Sequence, residues 1–306
     1  KMGVSVVDNT TGDILVTEVS TDRALFDEIN KFSPAEVICN DAFSMSGISL
    51  EDLKDRYHFT VSALDSHFFQ DESCRKVLRE HFKVGSLEGL GLGDYDCGVI
   101  AAGAVLQYLY DTQKSTLDHL TTIVPYATGN YMVLDSSTRR NLELLETMRE
   151  KQKRGSLLWV LDKTRTAMGA RLLRTWIEQP LISREEILKR QNATEELNLN
   201  YISREELGEY LNPVYDLERL IGRISYKTAN PRDLLAFRNS IAMVPHIKRL
   251  LGEFTSDALK ELEQELDPLE DLEDLITRAI VEEPPITVRE GGMIRDGYNE
   301  EADRLR

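Results

Sequence analysis

From Met132 to Leu181 the chain reads MVLDSSTRRNLELLETM (132–148) and then, past residues 149–154, GSLLWVLDKTRTAMGARLLRTWIEQPL (155–181). Nothing in this stretch pairs a nucleophile with a base or spaces ligands for a metal. Its residues are those that start, pack and stop helices. Asp135 can cap a helix carrying Leu142, Leu145 and Met148. Met168, Leu172, Leu173 and Trp176 form the next apolar stripe, which Gln179-Pro180 stops. The chain is therefore predicted to be helical from about Leu134 onward.

The same grammar continues downstream. Ser183-x-x-Glu186 and Ser203-x-x-Glu206 read as capping boxes. Leu217, Leu220, Ile221 and Ile224 share a helical face, and Asn230-Pro231 sets a capping residue before proline at a first helical position. Pro245 should kink or break the helix that starts there. Leu259, Leu262, Leu266, Leu269, Leu272 and Leu275 recur every three or four residues in a very acidic stretch. Asn299 can cap a helix from Glu300, and with Lys1 preceding Met2 both ends look cut from something longer.

Upstream the period changes. Val4–Val7 and Asp13–Val19 read as strands joined by Asn9-Thr10-Thr11-Gly12, a hairpin. Thr21 caps a helix bearing Leu25, Phe26, Ile29 and Phe32. Val37-Ile38-Cys39 and Tyr57–Leu64 read as strands, and Glu72–Phe82 as a helix turning Val77, Leu78 and Phe82 inward. A Gly-rich turn at 89–93 leads to a helix around Val99–Leu106 with a small-residue face at Ala101–Ala104, suited to close packing. The polar segment Thr112–His119 is a plausible linker. Residues 1–120 are thus expected to form an α/β domain with a small mixed sheet, and residues 121–306 an all-α domain.

The bulk numbers exclude some functions. Three cysteines without a C-x-x-C pair argue against zinc and disulfide frameworks and fit a reducing cytoplasm. The apolar run at Val99–Leu106 falls short of the roughly 18 or more residues of a membrane span. A net charge of −16 weighs against stand-alone DNA binding. Between Arg139 and Arg174, however, ten Lys/Arg face four Asp/Glu, which is either a solvated, internally paired helix surface or a patch for DNA or a partner.

Met132–Leu181 resembles the opening of the core domain in the MutS family of DNA mismatch-recognition ATPases. Gly3–Val19 resembles the first hairpin of that family's connector domain, which has an RNase H-like fold. Asp216-Leu217-Glu218-Arg219, Arg223 and Pro231-Arg232-Asp233-Leu234 resemble the middle of the core, and Arg289–Tyr298 the turn into its long lever helix. The matches run in the family's order over essentially the whole chain. The family's Phe-x-Glu mismatch reader is missing, as is any G-x-x-x-x-G-K-[ST] phosphate loop, and the DNA clamp would lie beyond Arg306.

The resemblance implies a connector and the first part of a core, in a cytoplasmic protein that binds mismatched double-stranded DNA as a homodimer and recruits a MutL-type protein. The larger protein would use ATP and Mg; this piece would hold no cofactor and catalyse nothing. Arg75, Lys76 and Arg79 form a small basic strip on the Glu72–Phe82 helix, either solvated or a contact for the MutL-type partner. Asp135, Arg139, Arg140, Asn141 and Glu143 form either a packed, capped helix or a relay surface. Two other readings stand beside this one: a freestanding helical adaptor, and a metal-dependent nuclease in which Asp8, with Asp13, Asp41 and Asp65, would hold the ion. Asp8 can equally open its turn by bonding its own backbone. The glycines at 89, 91 and 93 have no lysine behind them, and the five histidines (His58, His67, His81, His119, His246) are scattered.

Overall fold

The hairpin forms as the alternation predicts. Strands β1 (Met2–Asp8) and β2 (Asp13–Val19) run antiparallel, with Asp8 opposite Asp13. The structure, a computed structural model, describes residues 1–32, 34–45, 59–113, 117–127, 131–285 and 290–305. Tyr57 and His58 of the expected strand, residues 114–116 of the expected linker and Arg289 lie outside the described residues.

Successive residues of β2 point to opposite faces of the sheet, and each face has its own core. Ile14 and Val16 join Leu78, Val99, Ala102 and Leu106 on one side. Val19 joins Leu25, Ile29 and Phe59 on the other. Helix α1 (Asp22–Phe32), started by a Thr21 hydroxyl that accepts from the Ala24 N–H, supplies Leu25 and Ile29. A short α2 (Asp41–Met45) follows β3 (Glu36–Cys39), which pairs in parallel with β4 (Thr60–Ala63) in a separate two-stranded sheet. Helices α3 (Asp71–Phe82) and α4 (Asp96–Gln113) cover the first face.

The small-residue face of α4 is used as predicted. A Cβ added at Gly103 would sit 2.3 Å from the Cβ and 2.5 Å from the Cα of Cys74 on α3, and one at Gly98 would sit 2.7 Å from Val16 Cγ1 on β2.

The first half differs from the sequence expectation in two places. Strand β5 (Thr122–Pro125) pairs in parallel with β2, completing the sheet order β1-β2-β5. Four residues are too short for periodicity to reveal. The polar stretch expected as a linker is instead anchored: α4 runs through Gln113, and Leu117, His119 and Leu120 are buried.

The second half is helical, with shifted boundaries. Helix α5 (Ser136–Asn141) stops early, so Leu142 and Met148 are exposed and Leu144 takes the buried place instead of the expected stripe. Helix α6 (Leu157–Leu161) precedes α7 (Ala167–Glu178), which Thr166 caps by accepting from the Gly169 N–H and whose Leu172 and Trp176 are exposed rather than core. Ser183 starts α8 (Arg184–Leu199), its hydroxyl accepting from the Glu186 N–H as half of the expected capping box. Helix α9 (Tyr201–Leu211) begins ahead of Ser203, whose hydroxyl donates to Glu253 (3.2 Å); the expected capping box there does not start it.

Asp216 caps α10 (Leu217–Ser225), where only Leu220 of the expected apolar face is buried; Ile221 and Ile224 are exposed. Asn230 and Asp233 form a complete capping box on α11 (Pro231–Ile241), and Pro245 opens α12 (Val244–Leu251). The leucine repeat divides between α13 (Asp257–Glu265) and α14 (Glu270–Ala279), because Pro268 cannot donate and Leu269 turns left-handed at φ +54°. Asn299 caps α15 (Glu300–Leu305), accepting from the Glu301 N–H at 3.0 Å. The chain divides into two compact units, Lys1–Leu157 and Leu158–Arg306, each with its own buried clusters.

Candidate relay and partner surfaces

Short polar side chains here shape the backbone before they can do anything else. One Asp135 oxygen accepts from the Thr138 N–H (2.8 Å) and the other from the Arg23 guanidinium on α1 (3.2 Å). Hydrogen bonding from Thr138, and secondarily Arg23, holds this carboxyl below its ordinary range. Arg139 Nε donates to the Leu134 carbonyl (2.9 Å), and the Arg140 carbonyl accepts from the Glu143 N–H (3.1 Å). Asn141 ends α5. Glu143, at φ +47°, accepts from the Met148 N–H through its carboxylate (2.7 Å) and from the Leu157 N–H through its carbonyl (3.0 Å). The five expected relay residues therefore lie together, three of them with side chains committed to fixing the chain, while Arg140 and Asn141 are exposed.

The α3 strip is less uniform than its sequence. Arg75 is clamped by Asp71 (2.8 Å) and Asp96 (2.7 Å), which cancels its outward charge. Lys76 pairs loosely with Glu80 (3.8 Å) and is exposed, as is Arg79. A partner reaching α3 would meet Lys76 and Arg79.

In the second unit, charges distant in sequence are brought together. Arg171 on α7 donates a two-pronged pair of hydrogen bonds to Asp216 (both 2.7 Å) and also binds Glu218. That fork geometry is what arginine offers a carboxylate. Arg223 reaches Asp233 (2.8 Å), whose carboxylate also accepts from the Asn230 N–H (3.0 Å). Glu282 accepts from Arg238 (3.2 Å) and Arg295 (2.6 Å). Arg295 further donates through Nε to the Ile280 carbonyl (2.8 Å), beside an Ile280–Ile294 bridge. The sequence marked Asp216, Glu218, Arg223, Asp233 and Arg295, but not Arg171 as the partner of Asp216 and Glu218, nor Glu282 as the partner of Arg295. The only signal was an excess of complementary charge at separations that local spacing cannot pair.

Two of the four nuclease carboxylates, Asp8 and Asp13, hold their own turn. Asp8 accepts from the Thr10 N–H (2.8 Å) and hydroxyl (2.7 Å), and Asp13 from the Thr11 hydroxyl (2.7 Å). Asp41 begins α2 and Asp65 precedes a short 3-10 turn, Ser66–Phe69. Among the described residues no three His, Cys, Asp or Glu side chains gather as a metal would need, and no helix is long and apolar enough to cross a membrane. His81 bridges the Tyr110 hydroxyl (2.7 Å) and the Leu120 carbonyl (2.6 Å), tying α3 and α4 to the segment before β5.

Comparison with known proteins bears on both units. Residues 1–121 match the family model described as MutS domain II, and residues 137–306 the one described as MutS domain III. The DNA mismatch repair protein MutS of Lachnoclostridium phytofermentans is 60% identical over 304 residues, covering 99% of this chain and 33% of the relative. Its namesake in Ruminiclostridium cellulolyticum is 46% identical, over 99% of this chain and 35% of that protein. That of Clostridium tetani is 40% identical over 98% of this chain. The chain spans about a third of the length of the relatives it matches.

Proposed function

The chain belongs to the MutS family, of which it carries domains II and III, and from that premise we propose that it is the mechanical link of a DNA mismatch-recognition ATPase. In this reading the connector runs to about residue 120 and the helical core follows. The larger protein binds mismatched double-stranded DNA as a homodimer in the cytoplasm, uses ATP with Mg, and recruits a MutL-type partner. The present residues bind no cofactor and hydrolyse nothing.

The observation that carries this reading is the Arg171–Asp216–Glu218 cluster. Arg171 of the family-like segment 132–181 meets Asp216 and Glu218 of segment 216–234 there through direct ion pairs. Such rigid, ion-pinned elements suit transmission of a state between distant sites. Asp135, Arg139, Arg140, Asn141 and Glu143 sit where the connector chain enters the core and would serve as the relay. Lys76 and Arg79, with Arg75 held in place beside them, would form part of the MutL-type contact.

The test is to assay this chain for ATP hydrolysis and for its preference between mismatched and fully paired duplexes. Neither activity is expected. A measurable mismatch preference would refute the domain assignment, and Mg-dependent nicking abolished by Asp8→Asn would revive the nuclease.

A further inference from the structure

Four cations cluster within a short stretch of this acidic chain. Arg149, Lys151, Lys153 and Arg154 fall within six residues that contain a single acid, Glu150, in a chain of net charge −16, and all are exposed. Elsewhere Arg75, Arg171, Arg223, Arg238 and Arg295 are all held by carboxylates. Arg149, Lys151 and Arg154 make no ion pair among the described residues.

The segment that bears them is a loop closed by backbone hydrogen bonds. The Thr147 N–H donates to the Gln152 carbonyl (2.9 Å), and the Lys151 N–H to the Thr147 carbonyl (3.1 Å). The Glu143 carboxylate holds the entry through Met148. Ser156, fully buried, fixes the exit by donating both its N–H (3.1 Å) and its hydroxyl (2.7 Å) to the Lys153 carbonyl. Lys151 sits at φ +48°, a left-handed position that glycine or asparagine fills with less steric cost. A local strain of this kind is a reason to ask what the side chain does.

We propose that the 147–156 loop contacts the phosphate backbone of double-stranded DNA without reading its sequence, an inference that rests on the family's DNA-directed role above. The tip, Arg-Glu-Lys-Gln-Lys-Arg, offers no apolar or aromatic anchor of the kind that fills the centre of a protein interface, where lysine is depleted. Exposed cations on a fixed backbone suit phosphates, which need charge and reach rather than shape.

The experiment measures binding of this chain to a short, fully paired, labelled duplex over a series of potassium chloride concentrations. It compares the parent with Arg149→Gln/Lys151→Gln/Arg154→Gln. Every phosphate that is no longer neutralised should lower the slope of log affinity against log salt by about 1, so the triple variant should fall by about 3. Arg149→Lys/Arg154→Lys should keep the parent slope, and neutralising Arg75, Lys76 and Arg79 on α3 should leave it unchanged. No binding by the parent, an unaltered slope in the loop variant, or an equal fall in the α3 variant overturns the proposal. Mismatch preference, read with a second duplex, tests the domain assignment separately.

Discussion

Arg171 is the residue on which the geometry of the second unit turns. Its fork to Asp216 is partly exposed, so the hydrogen bonds to charge, worth about 1.5–3 kcal/mol when well protected, should be discounted to about 1–2 kcal/mol for Arg171→Ala. Arg171→Lys keeps the charge but loses the fork, and should recover only part of that. A denaturant titration that left either variant at parental stability would count against the pairing. The same contacts set a pH dependence. Arg171, against the opposing effect of burial, holds the Asp216 carboxyl below its usual range. Hydrogen bonding from Ser256, followed by the Thr255 N–H and hydroxyl, holds Glu196 down to about 2. Both folded-state values lie below the unfolded ones. Their stabilisation is therefore present above the unfolded carboxylate pKa near ~4, and is lost as pH falls through the folded values. The second unit should lose this contribution on acidification below about pH 4. Asp216→Asn/Glu196→Gln should flatten that fall, and a double variant with the parental slope would contradict it.

At the scale of elements, the capping box of α11 and the α3–α4 contact make opposite demands. Asn230→Ala removes a cap and should cost about 1 kcal/mol. Gly103→Ala forces a methyl to within 2.5 Å of the Cys74 backbone, which no side-chain rotation relieves, and should cost about 1–3 kcal/mol or more. Thermal melts ranking Gly103→Ala as the milder change would show that α3 and α4 can separate cheaply. Signals such as the Asn230 cap are legible in sequence because they are local: Thr21, Asp135, Ser183, Asn230 and Asn299 all cap where their residue types predict. What depends on tertiary partners was not legible. The Leu142–Leu145–Met148 spacing promised a helix that the left-handed turn at Glu143 ends. Leu172 and Trp176 keep helical spacing yet lie exposed, because periodicity states which face is apolar and not what covers it. β5 exists only by its pairing with β2. The relay residues were found as a group from the polarity of 135–143, whereas Arg171 needed Asp216 brought beside it from 45 residues away.

For the whole molecule, the buried clusters separate cleanly between the units. Ile14, Val16, Leu78, Leu106 and Leu120 belong to one, and Ala193, Leu207, Leu250, Phe254 and Leu259 to the other. A domain with its own core can in principle fold alone, and multi-domain chains depart from a single all-or-none transition. Calorimetry of this chain should accordingly resolve two unfolding transitions. Gly103→Ala should lower one of them and leave the other in place, while Arg171→Ala should do the reverse. The acid sensitivity of Asp216 and Glu196 should follow the transition that Arg171→Ala moves, because those carboxylates belong to the second unit. One transition shifted equally by both substitutions would mean that the two cores share their stability. A link of that kind would pass strain by unfolding together rather than as two rigid bodies, and the mechanical role argued for Arg171 would have to be given up.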